Sequence, residues 1–381
     1  MEEKITSIII NQKRAEDKLL FLNKNKDNLS KQKNETSEKK QFEYISISKI
    51  LASLSVVILH TNGVFWDFDY NNYKTYWISA NLIESIFYFA VPFFILCIGA
   101  TLLDFNERYG LLKYYKKRII KIVIPLFCWT FILYFYKVYV IKNLKKEKIT
   151  FEYLWNLYYM HKVYIIFGSL HSFLFMYMLI PLLAYVEKTK KLKIYSYCFL
   201  FLLFSQSLIP YLIKIFCKNL VWIYNINVGD IIYIFAGYII QNYQFSKITT
   251  KIIYFFGFFG LLIHIYGTQF LSLKYHQLIL LHKGYINLPC ILYYCSLFIF
   301  IKENANLIFK LINKTSINNL GTLTFGPFFI HPAIIDYIFK YFTINKYSLR
   351  YRLFGGILIY LLSLIITFFF KKIPLIKYLV P

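Results

Sequence analysis

The chain has 381 residues, is 58% hydrophobic and 21% aromatic, and has a mean hydropathy of +0.49. Apolar runs of about 17–25 residues recur along it, the length that crosses ~30 Å of hydrocarbon, which excludes an ordinary soluble domain. The net charge of +25 is no nucleic-acid footprint: the basic residues gather in short loops between apolar runs, where headgroups and the positive-inside bias place them, and no DNA or RNA motif is present.

Residues 1–43 are polar, with ten Lys or Arg and eight Asp or Glu. They read as a disordered cytoplasmic tail, with at most a loose helix near "IIINQKRAEDKLLFL", and their polarity argues against a cleavable signal peptide. Residues 44–372 then read as one all-α polytopic membrane domain. Ten transmembrane helices are predicted, at about 44–66, 79–103, 119–140, 169–187, 194–213, 225–241, 252–271, 284–301, 317–340 and 351–370. Residues 373–381 form a short cytoplasmic end. An even number of spans puts both termini on one side, and the tail and inner loops carry more Lys and Arg than the outer loops, so that side is the cytoplasm. Aromatic clusters such as "FWDFDY" and "LVWIY" sit at span ends as interfacial belts. The longest outer stretch, 141–168, has room for an interfacial helix. The six cysteines lack CxxC or CxxH spacing, and five fall inside apolar runs; they read as core thiols, with no metal site.

In the first span, "ISKILASLSVVILHTNGVFW" carries Lys49 and His60. Eleven residues at 100° each return to within about 20° of one face, and span roughly 16 Å. A charge inside a span usually faces a protein interior or a wet cavity, although Lys49 is shallow enough to snorkel and His60 could be a satisfied core histidine. Further along, Glu84 opens span 2, His171 opens span 4, His264 lies past the middle of span 7, and His331 and Asp336 lie in the outer half of span 9. Interface placement accounts for His171 and Asp336 as readily as chemistry does. No HExxH, GxSxG or metal-ligand spacing occurs. On the inner side, "NERYGLLKYYKKRIIKIVIP" places Lys117, Arg118 and Lys121 in a basic patch at the start of span 3. Arg118 and Lys121 are three apart and share a helix face, a pattern suited to phosphates or to topogenic charge alone.

In order along the chain, these pieces resemble the acyltransferase-3 family of integral membrane acyltransferases. Lys49 and His60 hold the spacing of the family's first-span Arg and His. "FAVPFFILCIGATLLD" is similar to its VPLFFxxSGxLL stretch, with Cys97 at the Ser. "KKRIIKIVIPLFCWTFI" is similar to its RxxR step, with Arg118 at the first Arg and Lys121 at the second. "SLHSFLFMYMLIPLL" and "LGTLTFGPFFIHPAI" are similar to its HLWFLYxLI and SFGxYLIHP stretches. The resemblance implies transfer of an acyl group, often acetyl, from cytoplasmic acyl-CoA to a hydroxyl of a cell-surface or lipid-linked sugar, in the bacterial cytoplasmic membrane. It implies a catalytic His60 and a donor end at Lys49, Arg118 and Lys121; the residues themselves add Lys117 to the donor patch and Glu84 as a carboxylate that would raise the pKa of a nearby catalytic histidine. Acyl-CoA enters as donor substrate, and no cofactor is expected to stay bound. A glycan or solute transporter, or a member that has lost catalysis, are the competing readings.

Overall fold

The computed structural model describes residues 43–142, 167–216 and 229–381, with 150, 152, 153, 156 and 164 between them. The expected tail 1–42, most of the 141–168 loop, and "LVWIY" lie outside the described residues. Residues Ile45–Pro381 form one compact unit; of the other, Met1–Tyr44, only the first turn of α1 is described.

Among the described residues there is no strand. The helices are α1 (Glu43–Thr61), α2 (Tyr73–Leu102), α3 (Leu111–Ile141), α4 (Phe167–Ala184), α5 (Lys188–Phe216), α6 (Ile232–Asn242), α7 (Lys247–Tyr275), α8 (Leu288–Leu311), α9 (Lys314–Leu323), α10 (Gly326–Tyr341) and α11 (Tyr351–Lys372). Seven of them are long and apolar enough to cross a membrane, or eight if α9 and α10 together make one span. The other two predicted spans map onto α6 and α8. α6 has 11 residues, about 16 Å of rise, and follows directly on a short 3-10 turn at Gly229–Ile231. α8 starts at Leu288, later than expected, with Pro289 in its first turn. It then runs on through Lys302, Glu303 and Asn304, so only its first half is uniformly apolar.

Proline sets the irregularities. The predicted straight span 317–340 is two helices bent by 65°. Pro327 opens α10 and cannot continue the hydrogen-bond ladder of α9. Ser53 Oγ of α1 donates to the Thr324 carbonyl at this bend, at 2.7 Å. In α2, Pro92 likewise leaves a break at Tyr88–Phe89. Several helices also widen by one residue into π turns, which often mark functional positions. Five of the described turns carry a basic side chain or a histidine: Tyr73–Trp77 holds Lys74, Ile119–Val123 holds Lys121, Tyr136–Ile141 holds Lys137, Ile263–Gly267 holds His264, and Tyr351–Gly355 holds Arg352.

The interior is made by α1, α2 and α6, whose buried residues include Ala52, Val57, Phe93, Leu96, Tyr233 and Ile234. The contact between α2 and α6 is reciprocal and very close. A Cβ at Gly99 would stand 2.0 Å from the Ile234 carbonyl oxygen, and one at Gly237 would stand 2.1 Å from that of Leu96. Small residues that let backbones touch are the usual means of helix association in lipid, where apolar burial alone gives no preference. α5 and α7 stand at the periphery and expose Phe201, Phe204, Phe255 and Phe258, as lipid-facing helices do.

Candidate active site

Two cavities line up along α1, one at each end of its polar stripe. The first, of about 440 Å³, is bordered by Lys49, Arg118, Lys121 and Lys371, with Phe94 and Cys97 of α2 and Phe173 of α4. The second, of about 170 Å³, is bordered by His60, Ala90 and Val91 of α2, Ser169 of α4, Tyr285 and Phe328. Thus α1, α2 and α4 wall both, and the bend between α9 and α10 contributes Phe325 to one and Phe328 to the other. The ring of Phe94 stands between the two, with its centroid 6.1 Å from Phe173 and 6.4 Å from Phe328.

At the Lys49 end, the π turn and Pro125 shape the start of α3. Pro125 supplies no N–H to the carbonyl of Lys121, four residues earlier, and the widened turn presents Arg118 and Lys121 to the same cavity. The Arg118 guanidinium lies between the rings of Tyr114 and Tyr177, at 5.2 and 5.0 Å from their centroids. Its Nε is buried with no partner among the described residues. Stacking of this kind fixes a guanidinium plane while leaving its edge free to donate. Lys117 is placed differently: its ammonium sits 4.0 Å over the Tyr109 ring, and it is not in the cavity lining. Lys371, on the last helix, was missed; it looked like one of the two cations that commonly close a helix. Four cations line this one small cavity, an arrangement whose chemistry suits polyanionic groups.

At the other end His60 is exposed rather than packed, and it borders open space. Among the described residues nothing hydrogen-bonds its ring. Its neighbour is His331, with ring centroids 5.1 Å apart. His331 is fully buried. Its Nδ1 lies 2.6 Å from the Pro327 carbonyl oxygen, which can only accept, so Nδ1 carries a proton. Its Nε2 is buried without a partner.

Glu84 is buried and accepts a hydrogen bond from Asn62 Nδ2 at 3.0 Å, two residues beyond His60. Asn62 also donates to the Ala80 carbonyl at 2.9 Å and accepts from Arg352 Nη1 at 3.2 Å. Arg352 Nη2 reaches Ser79 Oγ at 2.6 Å, and Thr61 Oγ1 donates to the Arg352 carbonyl at 2.9 Å. The end of α1 is therefore held on both sides by polar bonds. Lys283, in the loop before α8, is buried and donates to Ser85 Oγ at 2.9 Å. Burial draws its ammonium below the usual lysine value, and the charge of Glu84 opposes that shift. Arg352, Lys283 and Asn62 were not singled out from the sequence. Cations at span ends look like interfacial residues, and only the bends that bury them show otherwise.

The remaining candidates are apart from this line. His171 is half-buried, with Nδ1 3.1 Å from the Phe167 carbonyl oxygen of its own helix. Asp336 pairs with Lys137 at 3.9 Å and accepts from the Tyr164 hydroxyl. His264 is fully buried beside Tyr88, with ring centroids 5.9 Å apart and neither ring nitrogen hydrogen-bonded among the described residues. No group of three or more His, Cys, Asp or Glu able to hold a metal ion occurs among the described residues.

A multi-pass helical membrane protein with a cationic cavity at one end of a helix and an accessible histidine farther along it is thus defined. The chain belongs to the acyltransferase-3 family: the family model, an acyltransferase domain, matches residues 42–371, nearly the whole chain. No curated protein and no solved structure matches it.

Proposed function

We propose that this protein moves an acyl group, acetyl in the simplest case, from acyl-CoA in the cytoplasm to a hydroxyl of a cell-surface or lipid-linked sugar. In this reading it sits in the bacterial cytoplasmic membrane with ten spans and both termini inside, and the Lys49 end faces the cytoplasm. The observation that carries the reading is that the same three helices wall a cationic cavity and, farther along, a histidine-bearing cavity. The separation of Lys49 and His60, about 16 Å of helix rise, matches a donor with a charged head and a long thin arm.

The phosphates of CoA pair with Lys49, Arg118, Lys121 and Lys371, with Lys117 near the entrance. The pantetheine arm passes Phe94 and brings the thioester to His60. The acceptor hydroxyl oxygen attacks the thioester carbonyl while His60 takes its proton. The C–S bond breaks, and the departing sulfur takes that proton from His60, leaving an ester and free CoA. General-base help of this kind contributes ~10²–10⁴-fold. Glu84 acts at one remove, by holding Asn62 and with it the end of α1. His331 keeps its protonated Nδ1 on the Pro327 carbonyl, and its ring lies beside that of His60.

The test is acyl transfer from acetyl-CoA to the cell's own glycans, measured by mass spectrometry in cells carrying the wild type or His60→Ala. The variant is expected to insert normally and bind CoA while losing transfer. Normal glycan acylation by the variant removes His60 from the chemistry; solute flux in sealed vesicles without dependence on CoA replaces the whole reading with a transporter.

A further inference from the structure

A third cavity is distinct from the two described above. It has a volume of about 1010 Å³ and lies around the loop after α1 and the turn before α11. Its lining includes Asp67, Lys74, Ser79, Asn345, Tyr347 and Arg352. Amides, hydroxyls and charged groups alternate there with an aromatic face. The Tyr347 ring packs against Tyr76, with centroids 4.7 Å apart. This mixture suits a polyhydroxylated ring, whose hydroxyls exchange hydrogen bonds while its C–H face lies on an aromatic.

The charges narrow the class of sugar. Asp67 is paired with Lys346 at 2.9 Å. Asp69 has both oxygens engaged, accepting from the Asn71 backbone at 2.9 Å and from Asn72 Nδ2 at 2.7 Å. Arg352 is the exception. It is only 1% exposed, yet among the described residues no carboxylate lies within ion-pair distance of it. Two of its nitrogens bond neutral partners, Asn62 and Ser79, and its Nε has none. Glu84 is one amide away, through Asn62, and also faces Lys283. A buried guanidinium without a carboxylate is costly to keep, and Lys74 adds a second cation to the same lining.

We propose that this cavity is the acceptor subsite and that it takes a sugar bearing an oxyanion, a carboxylate or a phosphate, seated on Arg352. The proposal rests on the acyltransferase reading above. Arg352 then has two duties: it binds the acceptor, and through Asn62 and Thr61 it ties that acceptor to the helix end that carries His60.

The experiment uses the full chain in lipid nanodiscs and three probes: a glucuronic acid trisaccharide, its neutral carboxyl-reduced counterpart, and glucose 6-phosphate. Binding is followed by ligand-observed NMR. At least one anionic probe is expected to bind about tenfold or more tighter than the neutral one, as a charge-assisted bond provides; which one does so separates a carboxylate from a phosphate acceptor. Arg352→Gln should abolish the preference and Arg352→Lys should retain part of it. Tyr347→Ala should weaken all sugars alike. Equal binding of anionic and neutral probes, no binding of either anionic probe, or a preference that survives Arg352→Gln overturns the proposal. Should Arg352→Gln fail to fold, Lys74→Gln and Arg352→Lys decide: a preference reduced by neither overturns it. The two readings fail separately. His60-dependent transfer to a neutral glycan as efficiently as to an acidic one removes the oxyanion site and leaves the acyltransferase. Arg352-dependent binding without any His60-dependent transfer leaves the site and removes the acyltransferase.

Discussion

Arg118→Ala is the sharpest probe of the cationic cavity. The guanidinium is half-buried between Tyr114 and Tyr177 and lines the cavity with three lysines. Two unit charges 4 Å apart interact by ~1 kcal/mol in water and ~4 kcal/mol near a protein surface; a half-buried group lies between these limits. Hydrogen bonds to charged groups give a similar range, ~1.5–3 kcal/mol net. Losing one such partner should therefore weaken CoA binding by roughly 10–100-fold. The two ring contacts are worth about 0.5–1 kcal/mol each, a loss the fold should tolerate. The assay is calorimetric titration of CoA into the protein in nanodiscs at two salt concentrations, with thermal unfolding as a control. An unchanged Kd, in a variant with near-native melting, would show that the donor phosphates do not bind here. A raised Kd whose salt dependence is as steep as that of the wild type would also count against direct charge pairing.

Other outcomes follow from the same geometry. Lys121→Arg should tighten CoA binding, because a fork replaces a point charge in the same lining; weaker binding in the titration would mean that the π turn leaves no room for it. Gly99→Ala should lower the melting temperature in detergent, since its Cβ would meet the Ile234 carbonyl at 2.0 Å and overpacking costs ~1–3 kcal/mol; wild-type melting would contradict the close α2–α6 approach. Phe94→Ala should join the two cavities and raise CoA thioester hydrolysis in the absence of acceptor, followed by thiol release; an unchanged rate would show that the ring does not separate them.

The polar stripe of α1 was legible because helical periodicity needs only one sequence: an eleven-residue spacing returns to the same face, and both Lys49 and His60 do border cavities. Arg118 and Lys121 were legible from spacing and resemblance. The bend at Thr324–Phe325 was not, although Pro327 was its signal, because a hydropathy window averages over a proline and reports one long apolar stretch. Arg352 and Lys283 were hidden for a related reason. Depth in a span can be counted from the sequence, but burial depends on which loop folds over the span end. His264, by contrast, was placed past the middle of its span by counting alone. It is fully buried, with neither ring nitrogen hydrogen-bonded among the described residues.

The ring of Phe94 has an electrical consequence. A passage wide enough for a thin organic arm is wide enough for a file of water and for protons. Each elementary charge moving through a potential of 100 mV gains about 2.3 kcal/mol, so a permanently open route along α1 would run down the cell's energy. The contacts of Phe94 with Phe173 and Phe328 put an apolar, water-excluding constriction between the two cavities. A ring held in that place would keep the resting protein an insulator. In the proposed reaction the ring would move aside only as the donor's arm arrives, and the arm would fill the gap and keep the barrier closed to ions.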